Sequence, residues 1–232
     1  MLLKERTEAA VIFFDIDNTL IDYNASEKAA FTELMLRECG ISVSEEQYGY
    51  WHSISKSWFQ RFLDKELTYE EQGMKRISAF AGYCGIEMNT GKASQLFEEY
   101  QDILSGHWKL FEDVKPALDR LSGKRLGIIS NGKSTQQRQK LVDTGIDDKF
   151  DVRVFSEDAG FAKPSAGIFR YAAEAAGEST ADMIYVGDNY STDIEPCIAL
   201  GIRCFLISRE STLSERVNRI CTLNELADIL SD

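Results

Sequence analysis

The sequence predicts an α/β fold, in which a doubly wound, Rossmann-like parallel sheet is interrupted after its first strand by a helical domain. Five short apolar runs recur along the chain, at 11–14, 126–129, 152–155, 183–186 and 204–207. Continuous apolar runs are typical of strands that are covered on both faces. Helical patterns alternate with the last four runs, and such alternation indicates parallel strands with helices on both sides of the sheet.

The helical patterns fall into two groups. Those that alternate with the strands lie at 133–144, 165–176, 194–200 and 223–230. Between the first two strands, residues 25–106 contain no strand-like run and read as four amphipathic helices. Two of these helices begin with capping boxes, at 44–47 and 68–71, in which Ser or Thr precedes Gln or Glu by three residues. The predicted domains are an α/β core at 1–22 and 107–232 and a helical cap at 23–106.

Composition limits the partners that we expect. The formal net charge is −12, from 26 Lys and Arg against 38 Asp and Glu, which disfavours a nucleic acid polymer or an anionic membrane as partner. No apolar run approaches the ~20 residues of a membrane span. The five cysteines include no Cys-x-x-Cys pair, and the first residues lack the apolar segment of a secretory leader. We therefore expect a reduced, cytoplasmic protein, either a monomer or a homodimer.

Two aspartates follow the first predicted strand, in the motif Asp-Ile-Asp-Asn-Thr at 15–19. A carboxylate can carry a phosphoryl group as an aspartyl-phosphate, which makes Asp15 the candidate nucleophile. Asp17 is the candidate acid and base, which would protonate a leaving oxygen and then activate water. Taken alone, the motif also fits a strand that ends in a turn, so the assignment depends on the motifs that follow.

Two further motifs supply groups for a phosphate. Ser130 and Asn131 follow the second strand and precede a helix. A hydroxyl and backbone N–H groups near a helix N-terminus make a phosphate site. Lys163 precedes Pro164, which fixes the backbone beside it, in a loop before the next helix. A fixed cation near Asp15 would neutralise the transition state of phosphoryl transfer and keep the nucleophile ionised.

Asp188 and Asp193 follow the strand at 183–186 and precede a helical pattern. The chain has two histidines and no paired cysteines, so a zinc site has little support. A site made only of oxygen ligands suits Mg²⁺. We expect Asp15 and Asp188 to bind Mg²⁺ directly, together with the backbone carbonyl of Asp17. Asp193 is expected to act through water or by orienting its neighbours.

The four motifs should converge, because the carboxyl ends of parallel strands meet at one edge of a sheet. In this order they resemble the signature of the haloacid dehalogenase (HAD) superfamily, most of whose members are Mg²⁺-dependent phosphatases. The resemblance implies a phosphoric monoester hydrolase that acts on a small phosphorylated metabolite through an aspartyl-phosphate intermediate. Only the gap between the first two motifs has room for a cap, which looks like the four-helix cap of one HAD subfamily.

The resemblance also ranks the activities within the superfamily. Haloacid dehalogenases lack an acidic residue two positions after the nucleophile, so Asp17 disfavours dehalogenation. The segments 55–59, 64–68 and 156–160 are similar to those of HAD pyrimidine 5′-nucleotidases, which makes a nucleoside 5′-monophosphate the expected substrate. A sugar-phosphate phosphatase and a phosphoglucomutase-like phosphotransferase are the alternatives. A non-catalytic HAD-fold binding protein is disfavoured, because all four motifs are present.

Lys56 and Trp58 are the candidate substrate contacts in the cap. An aromatic face would stack on a flat base, and Lys56 could reach an anionic or carbonyl oxygen. Trp51, His52 and Phe59 are further candidates for the stacking role. Aromatic residues at helical spacing usually form the core of a helical domain, and this is the competing interpretation for each of them.

Overall fold

The computed structural model describes residues 11–209 and 218–231. The N-terminal segment on which the leader prediction depends lies outside these ranges. The chain divides into two compact units, one comprising the residues up to Asp22 and those from Leu110 onward, and the other comprising Tyr23–Lys109. We call them the core unit and the cap unit.

The strands and helices alternate along the core unit and only helices occur in the described cap unit. The strands are β1 (Val11–Phe14), β2 (Leu126–Ser130), β3 (Val152–Phe155), β4 (Met183–Gly187), β5 (Arg203–Ile207) and β6 (Arg219–Ile220). The cap helices are α1 (Tyr23–Cys39), α2 (Glu45–Leu63), α3 (Tyr69–Tyr83) and α4 (Thr90–Ser105). The core helices are α5 (Val114–Arg120), α6 (Ser134–Asp143), α7 (Ser156–Ala159), α8 (Ala166–Ala176), α9 (Glu195–Ala199) and α10 (Leu223–Ser231).

The sheet has the strand order β3-β2-β1-β4-β5-β6, and every neighbouring pair is parallel. The order reverses between β1 and β4, which is where ligands bind in open sheets of this kind. The register places Phe14 of β1 beside Ile128 of β2 and Val186 of β4. The carboxyl ends of these three strands therefore lie side by side. The predicted α/β fold with a doubly wound parallel sheet is confirmed.

Burial explains the continuous apolar runs of the sequence. All residues of β1, β2 and β4 are buried, so neither face of these strands can carry a solvated side chain. Gly127 of β2 is required by this packing, because a Cβ at its position would lie 2.4 Å from Cε1 of Phe13. The position of the Phe13 ring thus depends on the missing side chain.

The cap unit consists of four helices around an aromatic core. The Phe31 ring stacks on Trp51 with a centroid distance of 3.9 Å and an interplanar angle of 8°. Phe80 packs edge-on against Phe31 at 4.7 Å. The predicted capping boxes at Ser44 and Thr68 are both present and begin α2 and α3. The inserted four-helix domain of the sequence prediction matches this unit.

The boundary after the cap helices lies three residues later than the sequence predicts. The cap unit ends at Lys109 instead of residue 106. His107 belongs with α1, since its carbonyl accepts the Ser26 hydroxyl at 2.9 Å and its Nε2 lies 2.9 Å from Oε2 of Glu33. These partners are far away in sequence, and the helical pattern alone ends near Gly106.

Short elements account for the other differences between the predicted and the observed secondary structure. No sequence pattern predicts α5 or the edge strand β6, which have seven and two residues. The pattern at 194–200 corresponds to α9, and a π-helical turn at Tyr190–Ile194 comes directly before it. Elements of this length carry too little periodicity to be recognised alone. Within the described ranges, no helix is long and apolar enough to cross a membrane.

Candidate active site

Three of the four sequence motifs meet at the carboxyl ends of neighbouring strands. Asp15 follows β1, Ser130 ends β2, and Asp188 follows Gly187 at the end of β4. The backbone N–H of Asp15 donates to the carbonyl of Val186 at 2.9 Å, which extends the pairing of β1 and β4 by one residue. The nucleophile predicted from the sequence is therefore held rigidly at the end of the central strand.

The Lys163 ammonium lies at the centre of the site. Its Nζ donates to Oδ1 of Asp15 and Oδ1 of Asp193, each at 2.7 Å, and to the hydroxyl oxygen of Tyr185 at 2.8 Å. Lys163 is only 5% exposed, and a cation is tolerated at such depth when it is paired and hydrogen-bonded. Burial by itself lowers the pKa of Lys163, but Asp15 and Asp193 raise it by more, so the ammonium stays charged.

Asp193 is positioned by the turn that follows β4. Its Oδ1 bonds to Lys163, and its Oδ2 accepts the backbone N–H of Asn189 at 3.0 Å. Gly187 makes room for this carboxylate, because a Cβ there would lie 2.5 Å from Cγ of Asp193. Both oxygens thus have protein donors. The part that Asp193 plays in metal binding stays a prediction.

Asp15, Asp188 and Asp193 form a cluster in which one carboxylate oxygen of each lies within 4.8 Å of the others. Burial, followed by the charges of Asp15 and Asp193, raises the pKa of Asp188 to about 8. Burial also raises the pKa of Asp15 to about 6, although Lys163 lowers it. A hard cation would compensate these crowded charges, and a set of carboxylate oxygens is the donor set that Mg²⁺ prefers. The residues present therefore fit the predicted metal.

Asn131 connects the second motif to the third. Its Nδ2 donates to the carbonyl of Lys163 at 2.9 Å, and its Oδ1 accepts the Lys163 N–H at 2.8 Å. The side-chain amide thus fixes the backbone on both sides of the lysine, next to the buried hydroxyl of Ser130. The sequence predicts a role for the backbone of Asn131, whereas these contacts of its side chain could not be predicted from it.

Two residues that the sequence analysis missed hold Asp17. Lys140 Nζ donates to both carboxylate oxygens, at 2.7 and 2.8 Å. Gln137 Nε2 donates to Oδ2 of Asp17 at 3.1 Å and to the Ser130 hydroxyl at 3.0 Å. A signal was available, because Gln137 and Lys140 lie one turn apart and so share a face of the helix that follows Ser130.

Tyr185 is a further group that the sequence did not reveal. Its side chain is fully buried in β4, and its hydroxyl oxygen accepts from Lys163 and lies 3.2 Å from the carbonyl of Ile129. Burial, and then the nearby Asp193, raise the pKa of Tyr185 well above its ordinary value, so the hydroxyl stays neutral. Aromatic residues are common in strands, and nothing in the sequence distinguishes this one.

The predicted substrate contacts lie on α2 of the cap unit. Lys56 is exposed, and Trp58 is half-buried with the Arg61 guanidinium 5.0 Å from its ring centroid. Trp51 is fully buried and stacks on Phe31, so its role is the internal packing that was the competing interpretation. The part that Lys56 and Trp58 play in substrate binding stays a prediction.

The fold and the site together define the class of protein. A doubly wound sheet carries an aspartate, a buried lysine and an acidic cluster at its carboxyl edge, and these groups are suited to bind a metal ion and an anionic substrate. The family model of haloacid dehalogenase-like hydrolases matches residues 12–207, which is most of the chain. The chain therefore belongs to this family, and the resemblance seen in the sequence is confirmed.

Relatives of known activity match nearly the whole chain. The pyrimidine 5′-nucleotidase YjjG of Escherichia coli K12 is 28% identical over 226 residues, which cover 94% of this chain and 95% of the relative. The ribulose-1,5-bisphosphate 5-phosphatase of Halopiger xanaduensis is 27% identical over 240 residues, covering 96% and 100%. Both names agree with the predicted enzyme class, phosphoric monoester hydrolase.

Solved structures support the same family. The magnesium-bound crystal structure of YfnB from Bacillus subtilis has a TM-score of 0.85 and 25% identity, and the match covers 97% of this chain and 100% of that one. A 2-haloacid dehalogenase from Pseudomonas syringae has a TM-score of 0.69 at 22% identity, covering 96% and 98%. The second likeness shows a shared fold alone.

Proposed function

We propose that this protein is a Mg²⁺-dependent phosphatase that hydrolyses a small phosphomonoester through an aspartyl-phosphate on Asp15. The observation that carries the proposal is the hydrogen-bonded set of Asp15, Lys163 and Asp193 beside Asp188. This set provides a nucleophile together with the positive charge and metal ligands that a phosphate dianion needs. The relatives named above support it, since they are named for the hydrolysis of phosphate esters.

The reaction would proceed in two displacements at phosphorus. In the first, an oxygen of Asp15 attacks phosphorus and the bond from phosphorus to the leaving oxygen breaks. The leaving oxygen keeps the electron pair of that bond and takes a proton from Asp17. Water then attacks the same phosphorus while Asp17 accepts one of its protons. The bond between phosphorus and Asp15 breaks, which releases inorganic phosphate and restores both carboxyl groups.

The other residues of the core would hold the phosphoryl group and its charge. Lys163 neutralises the equatorial oxygens in the transition state, and Asp193 keeps the ammonium in place. The Ser130 hydroxyl and the backbone N–H of Asn131 bind phosphoryl oxygens. Asp15 and Asp188, with the backbone carbonyl of Asp17, would hold Mg²⁺. Bound there, the metal would supply positive charge to the transferring group.

Removal of the metal should abolish activity. Dialysis against a chelator is expected to stop hydrolysis of p-nitrophenyl phosphate, and added Mg²⁺ should restore it, because the acidic cluster then regains its counter-charge. Asp188→Ala should raise the Mg²⁺ concentration for half-maximal activity at least about tenfold. Asp119→Ala, at an exposed carboxylate of the core unit, is the matched control and should leave this concentration unchanged. Full activity in chelator, or a requirement for Zn²⁺ alone, would contradict the metal site.

For the leaving group we propose a nucleoside, with pyrimidine 5′-monophosphates preferred. The proposal is supported by the nucleotidase relative and by Trp58 and Lys56, which α2 leaves partly or fully exposed. A sugar phosphate is the second candidate, because the other relative acts on a phosphorylated sugar derivative by name. A phosphoglucomutase-like transfer has support at the level of fold alone, from a structure at 16% identity.

A comparison of substrates decides between these candidates. The values of kcat/KM for UMP, dUMP, dTMP and AMP should exceed those for ribose 5-phosphate and glucose 6-phosphate by at least about tenfold, which is the discrimination that a few specific contacts provide. Sugar phosphates that outpace every nucleotide by the same factor would reject the nucleotidase assignment. They would leave the phosphatase assignment intact.

The cap residues can be tested on the preferred nucleotide. Trp58→Ala should lower its kcat/KM about tenfold or more, since base stacking is worth ~1–3 kcal/mol, and Lys56→Ala should lower it in the same direction. Lys75→Ala, at an exposed lysine of α3, is the control for loss of a cap cation. An unchanged nucleotide preference in both test variants would exclude these two residues from the substrate site.

A further inference from the structure

We propose that Lys140, together with Gln137, is a positioning residue that holds the Asp17 carboxylate in the orientation from which it exchanges a proton with the substrate. The inference rests on the proposed phosphatase activity. Neither residue belongs to the four motifs, and neither is expected to touch the substrate. Both would act through Asp17.

The Lys140–Asp17 pair is anchored on one side and open on the other. The Lys140 side chain is 2% exposed, whereas the Asp17 side chain is 26% exposed. Lys140 reaches the carboxylate from the interior and donates to both of its oxygens. The carboxylate is thus held by hydrogen bonds on its buried side, while its exposed side stays accessible to a leaving oxygen or to water.

Gln137 places the same carboxylate relative to the phosphate site. Its Nε2 donates to Oδ2 of Asp17, to the Ser130 hydroxyl and, at 2.7 Å, to the carbonyl of Asn131. Gln137 is 2% exposed, so its amide has little freedom to turn. A single fixed amide therefore spans the proposed general acid and the proposed phosphate-binding hydroxyl.

Stability alone does not account for Lys140. Replacing a buried ion pair as a whole by apolar residues is often neutral or stabilising, so a gain in stability is a weak explanation for the Lys140–Asp17 pair. A long cationic side chain at this position can donate hydrogen bonds to both oxygens of Asp17 and so fix the plane of its carboxylate.

Misplacing a general acid has a specific kinetic consequence. A leaving group that is a weak acid needs a proton as its bond to phosphorus breaks, whereas a strongly acidic leaving group departs without one. The loss of Lys140 should therefore harm hydrolysis of phenyl phosphate more than that of p-nitrophenyl phosphate. The two esters differ only in the para-nitro group, which is remote from phosphorus, so weaker binding of the phosphate alone would affect both about equally.

The test measures kcat/KM for both esters with Mg²⁺, because this ratio reports the steps through transfer of the phosphoryl group to Asp15. Lys140→Met should lower kcat/KM for phenyl phosphate about tenfold more than for p-nitrophenyl phosphate. Asp17→Asn should show the same selectivity, and adding Lys140→Met to it should cause no further loss. Lys140→Arg should restore part of the phenyl phosphate activity, since it retains a cation in place.

Two further variants keep the test decisive. Lys149→Met removes a partly exposed lysine that bonds Asp119 at 2.7 Å in the core unit, and it should not change the ratio of the two esters. Gln137→Met removes the amide without changing the net charge and should shift the ratio in the same direction, which covers the case in which Lys140→Met does not fold. Equal losses for both esters, or additive effects with Asp17→Asn, would overturn the positioning role alone. An inactive wild-type protein would overturn the phosphatase assignment and this inference with it.

Discussion

Asp15→Asn is expected to lower turnover at least about a thousandfold, because a neutral amide is a poor nucleophile and a poor metal ligand. Asp15 is 6% exposed and its Oδ1 bonds to Lys163. An asparagine fits the same space, so the change removes the charge with little effect on packing. The measurement is kcat for p-nitrophenyl phosphate under saturating Mg²⁺.

The covalent intermediate gives a second measurement on the same variant. Acid quenching during turnover, followed by mass spectrometry, should detect a phosphoryl group on the peptide that contains Asp15 in the wild-type protein and none in Asp15→Asn. Asp119→Asn makes the same chemical change at an exposed site and should retain both activity and the phosphorylated peptide. If folded Asp15→Asn kept more than a few per cent of activity, the aspartyl-phosphate mechanism would be wrong.

Lys163→Met is expected to have the largest effect on stability. The change leaves the buried carboxylates of Asp15 and Asp193 without their shared cation, and breaking a buried ion pair by removing one partner costs about 3–5 kcal/mol. The measurement is urea unfolding at neutral pH in excess chelator, which keeps metal from replacing the lost charge. Hydrolysis of p-nitrophenyl phosphate should also be lost, because the transition state loses its fixed ammonium.

The pH dependence of this loss checks its electrostatic origin. Burial already raises the pKa of Asp15 in the presence of Lys163, so without the lysine the folded state should bind a proton more readily than the unfolded state does. Stability of Lys163→Met relative to wild type should then recover as the pH falls, because protonation removes the uncompensated charge. Lys149→Met, which breaks an exposed ion pair, should have little effect at any pH. A loss that is independent of pH would point to packing instead of charge.

Much of the core could be predicted from local sequence. The runs that became β1 to β5 were recognisable because strands buried on both faces need continuous apolar residues, and the capping boxes at Ser44 and Thr68 bond only to nearby backbone. The short elements α5 and β6 could not be predicted, since two or seven residues carry no clear period. Their formation depends on neighbours that the chain supplies elsewhere.

The motif residues show which features of the site the sequence predicts and which depend on the tertiary structure. By itself the sequence determined that Asp15, Ser130 and Asp188 lie at or directly after the ends of strands and would meet at one edge, because the topology of a parallel sheet brings strand ends together. Only the tertiary structure decided that Asp193 bonds Lys163 instead of standing free, and that Tyr185 lies beneath the ammonium. It also decided that Lys140 donates hydrogen bonds to Asp17, which lies 123 residues away in the sequence. Local patterns report which face of an element is buried, whereas the partner of a buried charge is set by packing between elements that are distant along the chain.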